Sequence, residues 1–172
     1  MRMRRSQWIW LPVAAVSTSV HATTYLSVEQ AQQLMFPGAT LVESPLVLSA
    51  SQQQELARTA GGAVPLHPWH VWRVDSGGYF IVDEVLGKHE LISYAVGLNA
   101  DGSIKQIEIL SYRESYGYEI RSERWRRQFV GKRTQLRMNQ EIQNISGATL
   151  SCAHVTDGVN RILALYAVAL RN

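Results

Sequence analysis

Apolar and polar residues alternate with a helical period at both ends of this chain and with a strand period in the middle. Near residue 30, apolar residues recur at steps of three and four, which is the spacing of one helix face: Val28, Ala31, Leu34 and Met35. Ser27, with Gln30 three positions later, forms a capping-box pattern at the helix start. Phe36-Pro37-Gly38 should end this helix, and a second short helix is predicted from Ser49 to Thr59.

The middle of the chain has the composition of a β-sheet. Residues 70–74 and 79–85 are rich in β-formers and flank the turn sequence Asp75-Ser76-Gly77-Gly78. Apolar residues then alternate on both sides of Asn99-Ala100-Asp101-Gly102, so residues 91–110 are predicted to form a hairpin.

A helical period returns from Glu119, continues through Trp125 and Phe129, and ends at Gly131. The last segment carries one apolar face at helical spacing: Val155, Val159, Ile162, Leu163, Tyr166 and Leu170. The order of elements predicts a single α+β domain, with an antiparallel meander sheet packed with helices and a long C-terminal helix.

The first 22 residues have the composition of a secretory signal peptide. Three arginines precede the apolar run from Trp8 to Val16, and the small-residue exit Val20-His21-Ala22 follows it. The run is shorter than the roughly 20 residues that a membrane-spanning helix needs. We therefore expect a signal peptide at 1–22 and a domain at 23–172, in the periplasm or secreted; an uncleaved N-terminal membrane anchor is the alternative.

Removal of this segment changes the charge of the chain. The 172 residues contain 17 basic and 14 acidic side chains, and three of the basic ones lie in residues 1–22. The remaining 150 residues are therefore balanced at 14 of each sign. This balance argues against a nucleic-acid binder, and the signal peptide argues against a cytoplasmic enzyme.

A loop of small residues, Ser146-Gly147-Ala148-Thr149, leads into the last predicted helix. The N–H groups at a helix start lack intrahelical acceptors and attract phosphate, and Thr149 would present a hydroxyl at that point. The alternative is an ordinary capped helix start, with Ser146, Thr149 or Ser151 as the capping residue.

Residues 145–151, Ile-Ser-Gly-Ala-Thr-Leu-Ser, resemble the flavin-attachment motif of the FMN-binding domain family. That family includes the flavin-carrying periplasmic subunits of the sodium-pumping NADH:quinone oxidoreductase and of Rnf complexes. The resemblance implies that Thr149 is esterified to the phosphate of FMN by a separate Mg-dependent flavin transferase that uses FAD. Ser146, Gly147, Ala148 and Leu150 would then shape the phosphate loop.

Further segments support the resemblance, which covers about residues 77–165. The segment 109–117 is similar to the family's strand-to-loop segment, and it implies Glu114, Ser115 and Gly117 near the flavin. Tyr112 or Tyr116 would stack on the ring or belong to the core. The hairpin around residues 97–102 and the segment 125–132 also resemble the family, and Trp125 and Phe129 are expected in the core.

One position departs from the family pattern. An Asp usually lies a few residues before the Ser-Gly-Ala-Thr core, whereas this chain has Gln143 followed by Asn144. If the transferase recognises that carboxylate, attachment of FMN would be slower here or would need a matched transferase.

The resemblance implies a periplasmic electron carrier rather than a stand-alone enzyme. Its partners would be the flavin transferase and a membrane-bound reductase or electron-transfer complex, which would pass electrons to an extracytoplasmic acceptor. Two alternatives stay open. One is a noncovalent module for flavin or another phosphate-bearing ligand; the other is a flavin-thiol enzyme that uses Cys152, the chain's single cysteine.

A basic cluster and a pair of histidines each allow a structural as well as a functional interpretation. A cluster of basic residues either forms a solvated helix face or binds an acidic redox partner or anionic lipids. Its members are Arg121, Arg124, Arg126, Arg127, Lys132, Arg133 and Arg137. His67 and His70 have a His-x-x-His spacing, but Pro68 intervenes and no local carboxylate or Cys completes a metal set. We predict no metal site and no catalytic residue.

Overall fold

A computed structural model describes residues 23–60, 64 and 68–171. The predicted signal peptide at 1–22 and His67 lie outside the described residues. The chain forms an α+β fold around a six-stranded antiparallel sheet with strand order β1-β6-β5-β4-β3-β2. Its strands are β1 (Thr23–Thr24), β2 (Leu41–Glu43), β3 (His70–Val74), β4 (Tyr79–Leu86), β5 (Leu91–Leu98) and β6 (Ile104–Tyr112).

The central four strands form the predicted meander. Strands β3 and β4 flank the turn at residues 75–78, and β5 and β6 flank the turn at 99–102. The two outer strands, β1 and β2, were not predicted, because two or three residues are too few to show alternation. Strand β1 pairs with the end of β6, Thr23 opposite Tyr112.

Helices cover both faces of the sheet. The long helix α4 (Thr149–Leu165), which ends in a wider turn at Tyr166–Leu170, packs with α2 (Ala50–Ala60) on the face that carries Tyr94 and Val96. Helix α1 (Val28–Met35) packs on the opposite face, which carries Ala95 and Leu110. Because alternate residues of β5 point to opposite faces, this strand contributes to both cores.

The predicted capping box of the first helix is present, and the second helix has one as well. Ser27 accepts a hydrogen bond from the N–H of Gln30, whose side chain accepts one from the N–H of Ser27. Ser49 and Gln52 form the same reciprocal pair at the start of α2. These capping boxes satisfy N–H groups that would otherwise lack acceptors.

The prediction of one continuous helix from Glu119 to Gly131 was wrong. The segment consists of a 3₁₀ turn at Tyr118–Arg121, the short helix α3 (Glu123–Arg126) and a second 3₁₀ turn at Arg127–Phe129. Ser122 interrupts it with extended backbone at φ −61° and ψ 134°. Ile120 and Trp125 are both buried, and a five-residue step turns a continuous α-helix by about 140°, so the break lets both side chains reach the core.

Candidate functional site

A cleft of about 630 Å³ lies at the start of α4. Three chain segments form its walls: the turn between β4 and β5, the loop that follows β6, and the loop that leads into α4. The residues that line it are Lys88, His89, Glu114, Ser115, Tyr116, Gly117, Tyr118, Glu119, Gly147, Ala148, Thr149, Leu150 and Ser151. Its volume falls within the range of about 300–1,000 Å³ that is usual for small-molecule sites.

The loop before α4 is a tight turn with Gly147 in the left-handed region. Gly147 has φ 86°, and the N–H of Ala148 donates to the Ile145 carbonyl over 3.0 Å. Across this turn, Asn144 Nδ2 donates to Thr149 Oγ1 over 3.0 Å. Thr149 is exposed, so its hydroxyl lies within reach of another molecule.

The first turn of α4 has no side-chain cap. Its N-cap is Ala148, and the first α-helical bond of the turn runs from the N–H of Cys152 to the Ala148 carbonyl over 2.9 Å. The interpretation of this segment as a start capped by Ser146, Thr149 or Ser151 was therefore wrong. The preceding turn makes Ala148 the cap and places Thr149 inside the helix. N–H groups at such a start, together with the helix dipole, favour an anion.

The loop that follows β6 packs directly on this turn. Gly117 has φ 86°, and a Cβ there would lie 3.0 Å from Ala148 Cβ and 2.7 Å from the Tyr112 hydroxyl. A side chain at position 117 would push the two walls apart. The close approach and the left-handed backbone both require glycine.

Glu114 ties the loop that follows β6 to the β4–β5 turn. Its Oε1 accepts hydrogen bonds from the N–H groups of His89, at 2.5 Å, and Glu90, at 3.0 Å. Although partial burial opposes ionisation, the backbone N–H groups of residues 88–90 hold the pKa of the Glu114 carboxyl below its ordinary value. The family resemblance implies that Glu114 lies near the flavin. In the structure its carboxylate also holds the β4–β5 turn in place as one wall of the cleft.

Tyr112 lies behind the cleft rather than in it. Its side chain is buried, its hydroxyl donates to the Tyr116 carbonyl, and it accepts from Ser151 Oγ over 3.0 Å. Burial raises the pKa of the Tyr112 hydroxyl above its ordinary value. This geometry favours the core interpretation of Tyr112 over ring stacking, whereas the side chains of Tyr116 and Tyr118 are 83% and 61% exposed at the cleft.

The structure brings most of the predicted site residues together. Seven of them line the cleft: Glu114, Ser115, Gly117, Gly147, Ala148, Thr149 and Leu150. Ser146 lies in the turn beside the cleft, and Tyr112 lies behind it. Sequence reasoning did not assign Lys88, His89, Tyr118 and Glu119 to the site, because no local pattern marks them.

Trp125 supports the loop from the core side. Its indole Nε1 donates to the Gln143 carbonyl over 2.9 Å, and the N–H of Gln143 donates to Gln128 Oε1 over 2.7 Å. Trp125 and Phe129 are buried and pack edge to face, with ring centroids 5.0 Å apart. The prediction that both belong to the core is confirmed.

The basic cluster does not form a single solvated face. Arg126 is only 16% exposed; it pairs with the buried Glu108 and donates to the Ile107 carbonyl over 2.8 Å. Other members are paired at separate places: Arg127 with Glu123, Arg133 with Asp101, and the Arg121 guanidinium over the Tyr25 ring.

Cys152 is completely buried in the main core, where burial raises the pKa of its thiol.

His70 is exposed, and its ring stacks on the Trp72 ring with the two centroids 6.4 Å apart. Within residues 23–60, 64 and 68–171, no group of three or more His, Cys, Asp or Glu side chains is arranged to hold a metal ion. No helix of that part of the chain is long and apolar enough to cross a membrane.

The fold and the cleft define an α+β ligand-binding domain whose site lies at an uncapped helix start, which suits a phosphate-bearing ligand. The model of one protein family, described as the FMN-binding domain, matches residues 87–164. Residues 87–164 therefore form an FMN-binding domain, and the match supports the binding of FMN by this protein. No curated protein matches the sequence significantly.

The matched span contains all three walls of the cleft. The cleft fits FMN in its chemistry. The first-turn N–H groups of α4 and the exposed Thr149 hydroxyl lie at the same end of the cleft. Gly147 leaves open space where a side chain would project, and the exposed side chains of Tyr116 and Tyr118 also line the cleft.

Proposed function

We propose that the protein is an extracytoplasmic electron carrier with FMN joined to Thr149 through a phosphoester. The observation that carries this proposal is the position of the Thr149 hydroxyl. It is exposed on the rim of the cleft, at the uncapped start of α4, within the loop that resembles the flavin-attachment motif. A hydroxyl there lies beside the N–H groups that would bind the phosphate.

Attachment needs a flavin transferase that takes FAD as donor. The hydroxyl of Thr149 loses its proton, its oxygen forms a bond to the phosphorus on the FMN side of the pyrophosphate, and AMP leaves. The protein would supply the hydroxyl, the tight turn that presents it and the first-turn N–H groups of α4.

Bound FMN would supply one- and two-electron transfer chemistry. The chain's own residues would orient the cofactor. The α4 start would hold the phosphate, Tyr116 and Tyr118 would contact the ring, and Glu114 would keep the β4–β5 turn against the loop that follows β6. The open cleft leaves the ring accessible to a redox partner.

The location and the partners follow from the same proposal. The signal peptide at residues 1–22 would direct the chain to the periplasm or out of the cell. A membrane-bound reductase or electron-transfer complex would reduce the flavin there, and an extracytoplasmic acceptor would reoxidise it.

A noncovalent FMN-binding module is the second candidate. It is favoured by Gln143 at the position where the family usually has Asp, since an amide cannot replace a carboxylate that a transferase recognises. A flavin-thiol enzyme receives no support from the site, because the Cys152 side chain lies in the core and not among the residues that line the cleft.

Intact mass of the exported, denatured protein tests the covalent proposal. After co-expression with a flavin transferase, we expect a gain of one FMN less one water. The gain should be absent in Thr149→Ala and retained in Ser146→Ala, the matched control in the same loop. The same spectrum locates the N-terminus, which we expect at Thr23, the first residue of β1.

An unmodified wild-type protein, with the transferase active on a second substrate, would contradict covalent attachment. Titration of the unmodified protein with FMN would then measure the noncovalent site. A mass that includes residues 1–22 would show that the N-terminal segment is retained as an anchor.

A further inference from the structure

We infer that Asn144 is the positioning residue for the Thr149 hydroxyl, and that it sets the rate at which FMN is attached. This inference rests on the proposed function. The geometry separates Asn144 from its neighbour Gln143, although the two residues precede the attachment loop side by side.

The main chain at Gln143 is fixed from the core side. Its carbonyl accepts from Trp125 Nε1 over 2.9 Å, and its N–H donates to Gln128 Oε1 over 2.7 Å. The Gln143 side chain is exposed. Position 143 therefore anchors the loop through its backbone, and the loop starts from a fixed point.

The side chain of the next residue crosses the loop. Asn144 Nδ2 donates to Thr149 Oγ1 over 3.0 Å, and the Ile145 carbonyl accepts from the Ala148 N–H, also over 3.0 Å. The loop is thus closed twice, once through backbone atoms and once through the Asn144 side chain. The second closure acts directly on the atom that would become esterified.

The direction of this hydrogen bond matters for the chemistry. Because the amide N–H occupies one lone pair of Oγ1, it holds the Thr149 side chain in one orientation, while the hydroxyl hydrogen and the second lone pair stay available outside the loop. In the transfer step the Oγ1–H bond and the P–O bond to AMP break, and the Oγ1–P bond forms. The proton goes to a base of the transferase or to water, because the Asn144 amide cannot accept it.

Steady-state flavinylation kinetics test this role. The substrates are the exported protein, not yet modified with FMN, and FAD with Mg²⁺. The flavin transferase is one shown to be active on its own substrate. We expect Asn144→Ala to lower kcat about three- to tenfold, the effect of one neutral hydrogen bond, with KM for the protein unchanged.

Gln143→Ala is the matched control, and we expect it to react like the wild type. Equal thermal unfolding of all variants would show that the fold is unaffected. The inference is overturned by a wild-type kcat in Asn144→Ala, by an equal loss in Gln143→Ala, or by a change confined to KM. An unlabelled wild type, by contrast, would overturn the proposed function itself.

Discussion

At the residue scale, the Tyr112 hydroxyl joins two walls of the cleft. It binds the Tyr116 carbonyl in the loop that follows β6 and Ser151 in the first turn of α4. Both Tyr112 and Ser151 are buried, so water cannot easily replace these hydrogen bonds. The loop that carries Thr149 therefore depends on a tyrosine that has no place in the cleft itself.

Replacing Tyr112 by Phe should destabilise the protein by about 1–3 kcal/mol, because it leaves a buried hydroxyl and a carbonyl without their partner. Urea denaturation of the variant measures this loss. Tyr116→Phe is the control, since the 83% exposed Tyr116 side chain contributes only its backbone carbonyl to the Tyr112 bond. Equal stability of the Tyr112→Phe and Tyr116→Phe variants would contradict the role given to the Tyr112 hydroxyl.

The sequence indicates some residues of the site much better than others. Gly147 and Thr149 are neighbours in one motif, so a local pattern reveals them. Lys88 and His89 reach the cleft only because β5 pairs with β6, Ile92 opposite Tyr112, which brings the preceding turn beside the loop that follows β6. Register over a long hairpin is a tertiary property, and no local spacing encodes it.

At the element scale, α4 rests closely on β4 and β5 at one glycine. A Cβ at Gly158 would lie 2.1 Å from the Tyr94 hydroxyl and 2.9 Å from Val85 Cγ1. Glycine lowers helix propensity at this position, by about 1 kcal/mol relative to alanine. The close packing on the sheet explains why the helix tolerates it.

Gly158→Ala should therefore destabilise the protein by about 1–3 kcal/mol, since the cost of overpacking exceeds the gain in helix propensity. Asp157→Ala, on the exposed side of the same helix, is the matched control. Chemical denaturation of both variants provides the comparison. A Gly158→Ala protein more stable than the wild type would show that α4 can move away from the sheet without loss.

The broken helix after Glu119 shows where periodic patterns fail. Apolar residues at 120, 125 and 129 look helical when read over a whole window, but the first step of five does not stay on one face. The strongly periodic α1 was predicted almost to the residue. The apolar face of α4 was also predicted, but this helix already starts at Thr149, at the end of the segment that was expected to be a loop. In residues 118–129, the burial of both Ile120 and Trp125 is achieved by breaking the helix at Ser122.

At the scale of the whole molecule, α4 and the sheet share a buried polar network. Arg161 Nη2 lies 2.6 Å from Asp83 Oδ2, and the Tyr94 hydroxyl donates to the same oxygen over 2.8 Å. Burial, and then the negative charge of Asp83, raise the pKa of Tyr94 well above its ordinary value. The network forms only when helix and sheet are packed together, so its protonation is coupled to folding of the entire domain.

Stability should fall in alkaline solution. In the folded state burial raises the pKa of Cys152 above 9.0 and those of Tyr94 and Tyr112 above 10.0. Unfolding releases protons from these groups once the pH exceeds the unfolded values, so their contribution is complete below about pH 9 and is lost as the pH rises.

The free energy of unfolding, measured by urea titration from pH 7 to 11, should start to fall near pH 9 and fall more steeply above pH 10. Cys152→Ser should move the start of the fall toward pH 10. A free energy of unfolding that is constant or rises over this range would contradict the assignment.

The exposed position of Thr149 on an open cleft has a consequence for how tightly the flavin ring must be held. A ring tethered there would experience the cleft at an effective concentration on the order of millimolar. A dissociation constant of the same order, about −4 kcal/mol, would then keep the ring in the cleft for much of the time. So weak an affinity also permits rapid exchange, and the ring could leave the cleft for a partner and return without ever being lost from the protein.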